Sequence, residues 1–243
     1  MPKAAINGVN INYQLDGTER APVLMFSNSL GSNLTMWDWQ IPAFEKDYRI
    51  LRYDSRGHGQ SDAPVGDYSI EMLTEDAVAL MDHCGFDKVH YCGLSKGGMV
   101  GQMLGTKNGD RLRSLTLCDT ASFMAAEDTW TPRMAMARNQ GMAALVEMSL
   151  DRWITKEGQA RLPEDADKVR AMIGSTPVEG YCGCCAAIRD MGQRETIGAI
   201  TTPTFSDPPK LDGKPPNRAR TSPLIIGAYR RTIGYEKLVT AAA

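Results

Sequence analysis

Polar and apolar residues alternate at the start of the chain, and short apolar runs follow. Residues 5–15 predict two strands around Asn7 and Gly8, a dipeptide that tolerates the positive φ angles of a tight hairpin turn. The later runs predict buried parallel strands, because strands covered by helices on both faces are apolar along their length. These runs are residues 23–26, 49–53, 89–93 and 115–118.

A helix is predicted between two of these strands. Ser69 is a suitable N-terminal cap, Gly85 is a stop signal, and the apolar residues between them recur at helical spacing. Their positions are Ile70, Leu73, Ala77, Leu80 and Met81. Strand, helix and parallel strand in succession imply right-handed crossovers, so the predicted class is α/β with a mostly parallel sheet.

The pattern changes after the strand that ends at residue 118. Residues 120–191 are rich in methionine and alanine at helical spacing, which predicts a helical cap inserted into a core formed by residues 1–119 and 192–204. Methionine fills irregular gaps in any core, so the cap methionines either pack between helices or line a pocket.

Residues 205–243 form an atypical segment. It contains five prolines, and its seven basic and three acidic residues give a net charge of +4 in a chain whose total is -2. This composition predicts the end of the strand and helix alternation and poor order as far as Pro223. Only residues 224–229 have strand character, and they either add a short strand or adhere to the core.

Length and charge exclude several classes of protein. A chain of 243 residues suits one core with one insertion, and 23% charged residues with a net charge of -2 provide no basic field for nucleic acid. No stretch reaches the ~20 apolar residues of a membrane-spanning helix, and the N-terminus has no signal-peptide pattern. We therefore expect a cytoplasmic protein with no nucleic-acid or membrane partner, and the sequence predicts no oligomeric state.

Three of the six cysteines are clustered at Cys182, Cys184 and Cys185. Thiolates bind zinc, but no second C-x-x-C or histidine pair lies nearby to complete a ligand set. We expect buried, reduced thiols and no metal.

The strongest chemical signal is the run Gly93-Leu94-Ser95-Lys96-Gly97. It follows a predicted buried strand and precedes a segment compatible with a helix, which is the setting of a nucleophile elbow. Small residues must flank the serine because the turn is so tight. The turn places the serine hydroxyl above the strand ends, at the N-terminus of the next helix. The sequence therefore predicts Ser95 as a nucleophile.

Two loops after other strands extend the predicted site. The turn FSNSLGS at residues 26–32 suits an oxyanion hole, with one backbone N–H from Leu30 and the other from Lys96. The run DSRGHGQS at residues 54–61 is predicted to be a structural turn beside the site. We therefore interpret His58 as architectural and not as the general base.

With these motifs in order, the sequence resembles the α/β-hydrolase superfamily, and four segments resemble the 3-oxoadipate (β-ketoadipate) enol-lactone hydrolases. The segments are SNSLGSNLTMWD, YDSRGHGQSD, GLSKGGMVGQ and EGYCGCCAAIRDM, and the resemblance continues to about Thr204. It implies an α/β-hydrolase fold and hydrolysis of 3-oxoadipate enol-lactone to 3-oxoadipate, a late step in bacterial catabolism of aromatic compounds. It implies no metal or organic cofactor, and the small lactone is the expected partner.

The implied mechanism is acyl transfer from the lactone to Ser95, with the oxyanion held by the amides of Lys96 and Leu30. The substrate carries a carboxylate, so Arg133 and Arg189 in the cap are candidate partners, although each equally suits a surface charge. Tryptophans either close the apolar side of the pocket or belong to a core interface. The candidates are Trp37, Trp130 and Trp153.

The C-terminal part departs from the family pattern, in which the triad acid follows the strand near residue 200 and the base histidine comes later. Neither is recognisable here. The histidines of this chain are His58, His83 and His90. All precede Ser95, whereas the hydrolase order is serine, acid, histidine. Asp207 and Asp212 lie in a proline-rich run, and Asp119 suits a turn or cap.

These coincident changes suggest a reading-frame change or altered terminus after Thr204. The loss of edge strands and a helix would expose apolar surface and an unpaired strand edge, which predicts marginal stability and aggregation. Three functions remain open: an enol-lactonase impaired in this chain, a broader carboxylesterase or perhydrolase, and a hydrolase-fold protein that binds a small ligand without efficient turnover.

Overall fold

The computed structural model describes residues 2–124 and 127–207, which fold around a central sheet. Within these residues the sheet has seven strands in the order β1-β2-β4-β3-β5-β6-β7. They are β1 (Lys3–Ile6), β2 (Val9–Gly17), β3 (Val23–Ser27), β4 (Arg49–Tyr53), β5 (Val89–Leu94), β6 (Leu112–Cys118) and β7 (Thr204–Asp207). The β1-β2 and β2-β4 pairs are antiparallel and the other neighbours are parallel, so the predicted class is confirmed.

The predicted hairpin forms between β1 and β2. Asn7 and Gly8 have φ angles of 46° and 75°, and Ile6 pairs with Val9 across the turn. Positive φ at both central positions gives a turn whose twist matches that of the flanking strands.

Alternation along the strands divides the core into two clusters. Leu24 and Phe26 of β3 and Ile50 of β4 face one side of the sheet, where they meet Trp37 of a 3-10 helix (Leu34–Trp37) and Phe44 of α1 (Ile41–Phe44). The larger cluster, on the other side, joins the alternate strand residues to α2 (Ile70–His83) and α3 (Lys96–Lys107). Both sides of the central strands are therefore apolar.

The predicted helix corresponds to α2, and its end signals act as expected. The Ser69 hydroxyl accepts a hydrogen bond from the Met72 N–H at 3.0 Å, which satisfies one of the free donors of the first turn. The chain leaves the helix at Gly85, where φ is 71°.

The region between β6 and β7 is helical, and its last helix is fixed to the core. The helices are α4 (Glu127–Gln140), α5 (Ala143–Trp153), α6 (Lys156–Arg161), α7 (Pro163–Gly174) and α8 (Val178–Asp190). A Cβ atom added at Gly180 of α8 would lie 2.0 Å from the Gly57 carbonyl oxygen, and the Tyr68 N–H donates to the Gly183 carbonyl at 3.1 Å. The backbone of α8 therefore touches the loop after β4.

The last described strand runs further than the boundary expected at residue 204. β7 extends to Asp207 because its parallel ladder with β6 continues from the Leu115 and Thr204 pair to the Cys118 and Asp207 pair. The rest of the atypical segment, including residues 224–229, lies outside the described residues. Within the described ranges, no helix has the length and apolar character needed to cross a membrane.

We expect Gly180→Ala to lower the free energy of unfolding by about 1–3 kcal/mol, because the added Cβ would overlap backbone that cannot rotate away. Urea unfolding measures the change. Gly192→Ala is the matched control, since no atom lies within 4 Å of its added Cβ, and its effect should stay below about 0.5 kcal/mol. Equal stabilities of the two variants would contradict the contact between α8 and Gly57.

Candidate active site

Ser95 occupies a strained turn between β5 and α3. Its φ and ψ angles are 52° and -110°, a combination that costs a residue other than glycine about 1–3 kcal/mol. The Ser95 N–H donates to the Cys118 carbonyl at 2.9 Å, and the Ser95 carbonyl accepts from the Thr120 hydroxyl at 2.8 Å and the Met99 N–H at 3.0 Å. The surrounding chain therefore holds this residue at the end of the strand, as a nucleophile elbow requires.

Glycines make the turn possible. A Cβ atom added at Gly93 would lie 2.2 Å from the Gly97 carbonyl oxygen, and one at Gly97 would lie 2.2 Å from the Ser27 carbonyl oxygen. One added at Gly98 would meet Thr120 at 2.6 Å. The flanking positions therefore have no room for a side chain.

Two backbone amides at this edge of the sheet are unused. Lys96 is the first residue of α3, so its N–H has no partner within the helix. Within residues 2–124 and 127–207, no acceptor bonds to the N–H of Lys96 or of Leu30. Both groups are therefore available to an oxygen atom of a ligand.

The turn that carries Leu30 is tied to β4 and to the loop that follows it. The Ser27 hydroxyl lies 2.9 Å from the Tyr53 hydroxyl, and the Asn28 side-chain amide donates to the Tyr53 carbonyl at 2.8 Å. The Gly31 N–H donates to Nε2 of His58 at 2.9 Å. These bonds fix the backbone on both sides of Leu30.

His58 is held as a neutral acceptor beneath the site. It is fully buried, its Nε2 accepts from Gly31, and its Nδ1 lies 3.4 Å from the Arg56 carbonyl and 3.8 Å from the Cys184 sulfur. Burial, and secondarily the nearby Lys96 ammonium, lowers the pKa of His58 well below its ordinary value. With Nε2 already engaged, the contacts of His58 agree with an architectural role.

The other two histidines contact groups remote from the Ser95 turn. His83, in the last turn of α2, meets the Tyr13 ring edge to face, with centroids 5.8 Å apart. Nδ1 of His90, in the first half of β5, lies 2.8 Å from the Ser114 hydroxyl. All three histidines of the sequence thus have contacts that do not involve Ser95.

Candidate acids are placed differently. Asp119 follows β6 with φ at 42° and is exposed, one residue beyond the Cys118 carbonyl that binds the Ser95 N–H. The Asp207 backbone ends β7, and Asp212 lies outside the described residues.

The Lys96 side chain is buried, and its ammonium faces few partners. Lys96 is 1% exposed, and its Nζ donates to the Ser55 hydroxyl at 2.8 Å. Burial lowers the pKa of Lys96, while Cys184 and Asp54 act in the opposite direction. Sequence reasoning considered only the amide of this residue and missed its side chain.

Cap residues cover the Leu30 turn and present unused donors. The Tyr181 and Trp153 rings lie 3.6 and 4.0 Å from where a Cβ of Gly31 would be. Among the described residues, the Tyr181 hydroxyl, Arg133 Nε and Trp130 Nε1 are buried without a hydrogen-bond partner. The Arg133 guanidinium lies 5.5 Å from the Trp130 ring centre. Tyr181 was missed because helical periodicity predicts a buried face and no contacts.

Two predicted substrate-binding residues are engaged elsewhere. Trp37 stacks on Phe26 in the smaller core cluster and donates its indole N–H to Asn28 at 2.8 Å. Arg189 lies at the end of α8 and pairs with Asp190 at 2.6 Å and with Asp67 at 3.4 Å. These contacts favour the alternatives that the sequence left open, a core role for Trp37 and a surface ion pair for Arg189.

The clustered cysteines are packing residues. Cys182, Cys184 and Cys185 are fully buried, and burial raises the pKa of each thiol. In the part of the chain that the structure describes, no three histidine, cysteine or acidic side chains are grouped to hold a metal ion.

We expect the free energy of unfolding to fall as pH drops below about 6.5, with His58 alone contributing up to about 1.4 kcal/mol per pH unit. The unfolded chain protonates His58 near its ordinary pKa, whereas the folded chain does so only at much lower pH. His58→Gln should reduce this slope between about pH 6.5 and 5 in urea unfolding, while His90 contributes with the same sign to both proteins. Identical slopes would contradict the buried neutral state of His58.

Comparisons with known proteins agree with this geometry. The family described as alpha/beta hydrolase fold matches residues 22–145. 3-Oxoadipate enol-lactonase 2 of Acinetobacter baylyi is 35% identical over 81% of this chain and 74% of its own length. The crystal structure of the enol-lactonase from Burkholderia xenovorans LB400 has a TM-score of 0.83 and 40% identity, over 84% of this chain and 80% of that one.

A thermophilic esterase from Thermogutta terrifontis, with malate bound, has a TM-score of 0.77 and 27% identity over 96% of this chain and 85% of that one. The fold, the strained serine turn and these similarities agree on one family. The chain belongs to the α/β-hydrolase family, within a group of carboxylic-ester hydrolases that includes the 3-oxoadipate enol-lactonases.

Proposed function

We propose that this chain acts on 3-oxoadipate enol-lactone through Ser95, with the amides of Lys96 and Leu30 as the oxyanion hole, and that its turnover is slow. The observation that carries the proposal is the strained backbone of Ser95, directly before α3. Beside it lie two amides that lack an acceptor among the described residues. The names of the relatives at 35% and 40% identity support the substrate. Its expected setting is the cytoplasm, where free thiols stay reduced.

The reaction is acyl transfer in two stages. The Ser95 oxygen bonds to the lactone carbonyl carbon and loses its proton to water, while the carbonyl oxygen gains a negative charge that the two amides stabilise. The ring C–O bond then breaks, and the enolate that leaves takes up a proton and tautomerises to the ketone. Water next attacks the acyl ester, which releases 3-oxoadipate and restores the Ser95 hydroxyl.

The cap supplies a site for the substrate carboxylate. The unpartnered donors of Arg133, Trp130 and Tyr181 come from α4 and α8, and the Tyr181 ring covers the turn that carries Leu30. A carboxylate in this position would satisfy donors that are otherwise buried at a cost. Of the sequence-predicted cap residues, we therefore retain Trp130 and Arg133.

Slow turnover is proposed because Ser95 lacks a histidine base within this sequence. General base catalysis contributes about 10²- to 10⁴-fold, and each histidine here is engaged elsewhere. The same observation favours a second candidate function, in which the protein binds the lactone without efficient hydrolysis.

We expect imidazole in the buffer to accelerate hydrolysis of freshly generated 3-oxoadipate enol-lactone by at least about tenfold above its effect on the uncatalysed reaction. Imidazole would act as the general base that no histidine of this sequence provides to Ser95. The reaction is monitored by the loss of ultraviolet absorbance. Without imidazole, the rate should exceed the uncatalysed rate by no more than about 10³- to 10⁴-fold.

Ser95→Ala is the control, and it should abolish the imidazole-dependent rate. Acceleration that persists in Ser95→Ala would contradict the nucleophile. Rapid hydrolysis without imidazole that Ser95→Ala removes would contradict slow turnover, and binding without any hydrolysis would select the second candidate function.

We also expect Arg133→Gln to weaken binding of 3-oxoadipate by about 10- to 100-fold, since a charged hydrogen bond contributes about 1.5–3 kcal/mol. Isothermal titration calorimetry measures the affinity. Arg138→Gln is the matched control on the same helix, because Arg138 is 46% exposed and pairs with Glu179 at 3.6 Å. Equal affinities of the two variants would remove Arg133 from the site.

A further inference from the structure

The two amides assigned to the oxyanion hole belong to different parts of the chain. Leu30 follows β3 and Lys96 begins α3, so nothing in the sequence links them. An oxyanion hole requires both N–H groups to point at one oxygen from fixed positions. Some element must therefore set one peptide relative to the other.

The loop after β4, residues 54–61, contacts both parts. Its Ser55 hydroxyl accepts a hydrogen bond from Nζ of Lys96 at 2.8 Å. Its His58 ring accepts at Nε2 from the Gly31 N–H at 2.9 Å, which occupies the donor next to Leu30. Ser55 and His58 are joined to one another, since the His58 N–H donates to the Ser55 carbonyl at 2.9 Å.

The loop is itself anchored at two places and closed by a bond of its own. Arg56 makes a two-bonded ion pair with Asp76 of α2, and both of its N···O distances are 2.8 Å. Asp54 accepts from the Gln60 N–H at 2.9 Å within the loop and from the Leu34 N–H at 2.7 Å beyond the oxyanion turn. Because these bonds fix the loop, the loop in turn fixes the position of the groups that its side chains contact.

We propose that the loop 54–61 sets the geometry of the oxyanion hole, with Ser55 and His58 as positioning residues that fix the Lys96 and Leu30 peptides respectively. The inference rests on the proposed function, because it presumes that these amides bind an oxyanion. Each acts indirectly: Ser55 through the Lys96 side chain, and His58 through the Gly31 N–H next to Leu30.

The Lys96 side chain gives a reason to prefer this role over simple packing. Within residues 2–124 and 127–207, the buried Lys96 ammonium has a single hydroxyl as its hydrogen-bond partner. Such an arrangement is unfavourable, and an apolar side chain of similar length would pack there at lower cost. The contact therefore has little value for stability alone. Its value lies in holding the first peptide of α3 toward the loop.

The test measures binding of a tetrahedral adduct separately from binding of a planar ligand. Phenylboronic acid forms such an adduct when the Ser95 oxygen donates an electron pair to boron and its proton passes to water, which leaves one negative charge on the boronate. Boron NMR distinguishes tetrahedral from trigonal boron, and calorimetry measures 3-oxoadipate in parallel. The full chain is used throughout.

Ser55→Ala should weaken boronate binding by about 10- to 100-fold and leave 3-oxoadipate binding unchanged, because misplacing a donor affects only the oxyanion. Ser61→Ala is the matched control. Ser61 lies in the same loop and is equally buried, but it accepts from the Asn12 N–H and donates to the Asp54 carbonyl. Equal boronate affinities of the two variants would overturn the proposal.

Three further variants cover the case in which Ser55→Ala is poorly folded. Lys96→Met should lose boronate affinity to a similar degree, although its urea midpoint should be no lower than that of the parent chain. His58→Leu should lose it as well, and His58→Gln should restore it because its side-chain oxygen can accept from the Gly31 N–H. Full boronate affinity in both Lys96→Met and His58→Leu would contradict the proposal.

Failure of the proposed function gives a different result. If the parent chain and Ser95→Ala bind phenylboronic acid equally, Ser95 is not the nucleophile and there is no oxyanion hole for the loop to set. If the parent chain forms a Ser95-dependent adduct and none of the loop variants weakens it, the proposed function stands and the positioning role is wrong.

Discussion

The close approach of backbones at the carboxyl edge of the sheet is the constraint on which the site depends. A Cβ atom added at Gly97 would lie 2.2 Å from the Ser27 carbonyl oxygen, so the first turn of α3 sits directly on the end of β3. This contact holds Ser95 at φ 52°, against a conformational cost of about 1–3 kcal/mol. The contact between Gly97 and Ser27 also sets the distance between the Ser95 turn and the turn that carries Leu30, because each turn contains one of these two residues.

A layer of polar side chains lies beneath that contact, in a region where apolar packing would be more stable. Arg56 and Asp76 form a buried ion pair, Lys96 brings a buried amine and His58 a buried neutral ring. Buried ionic groups are weak sources of stability, and we interpret their grouping at one place as a requirement for geometry. The layer joins the loop after β4 to the Lys96 side chain and to the Gly31 N–H beside Leu30. Its cost to stability and its value to the site therefore have one origin.

Much of the fold could be predicted because its signals are local. Asn7 and Gly8 specify their turn, and the apolar runs specify buried strands whatever their neighbours are. The contacts that decide side-chain roles are not local: Arg189 pairs with Asp67, 122 positions away in the sequence. The sequence left two roles open for Trp37 for the same reason, since Trp37 meets Phe26 and Asn28 only when β3 packs against the 3-10 helix.

The central claim is that Ser95 attacks the lactone and that the acyl group leaves slowly because each histidine of this sequence is engaged away from Ser95. Intact-mass spectrometry after prolonged incubation with 3-oxoadipate enol-lactone tests both parts together. The account predicts an adduct heavier by one whole lactone, because ring opening keeps the leaving group on the acyl chain, and peptide mapping should place it on Ser95. The absence of any adduct while lactone is hydrolysed, or an adduct that persists in Ser95→Ala, would contradict it.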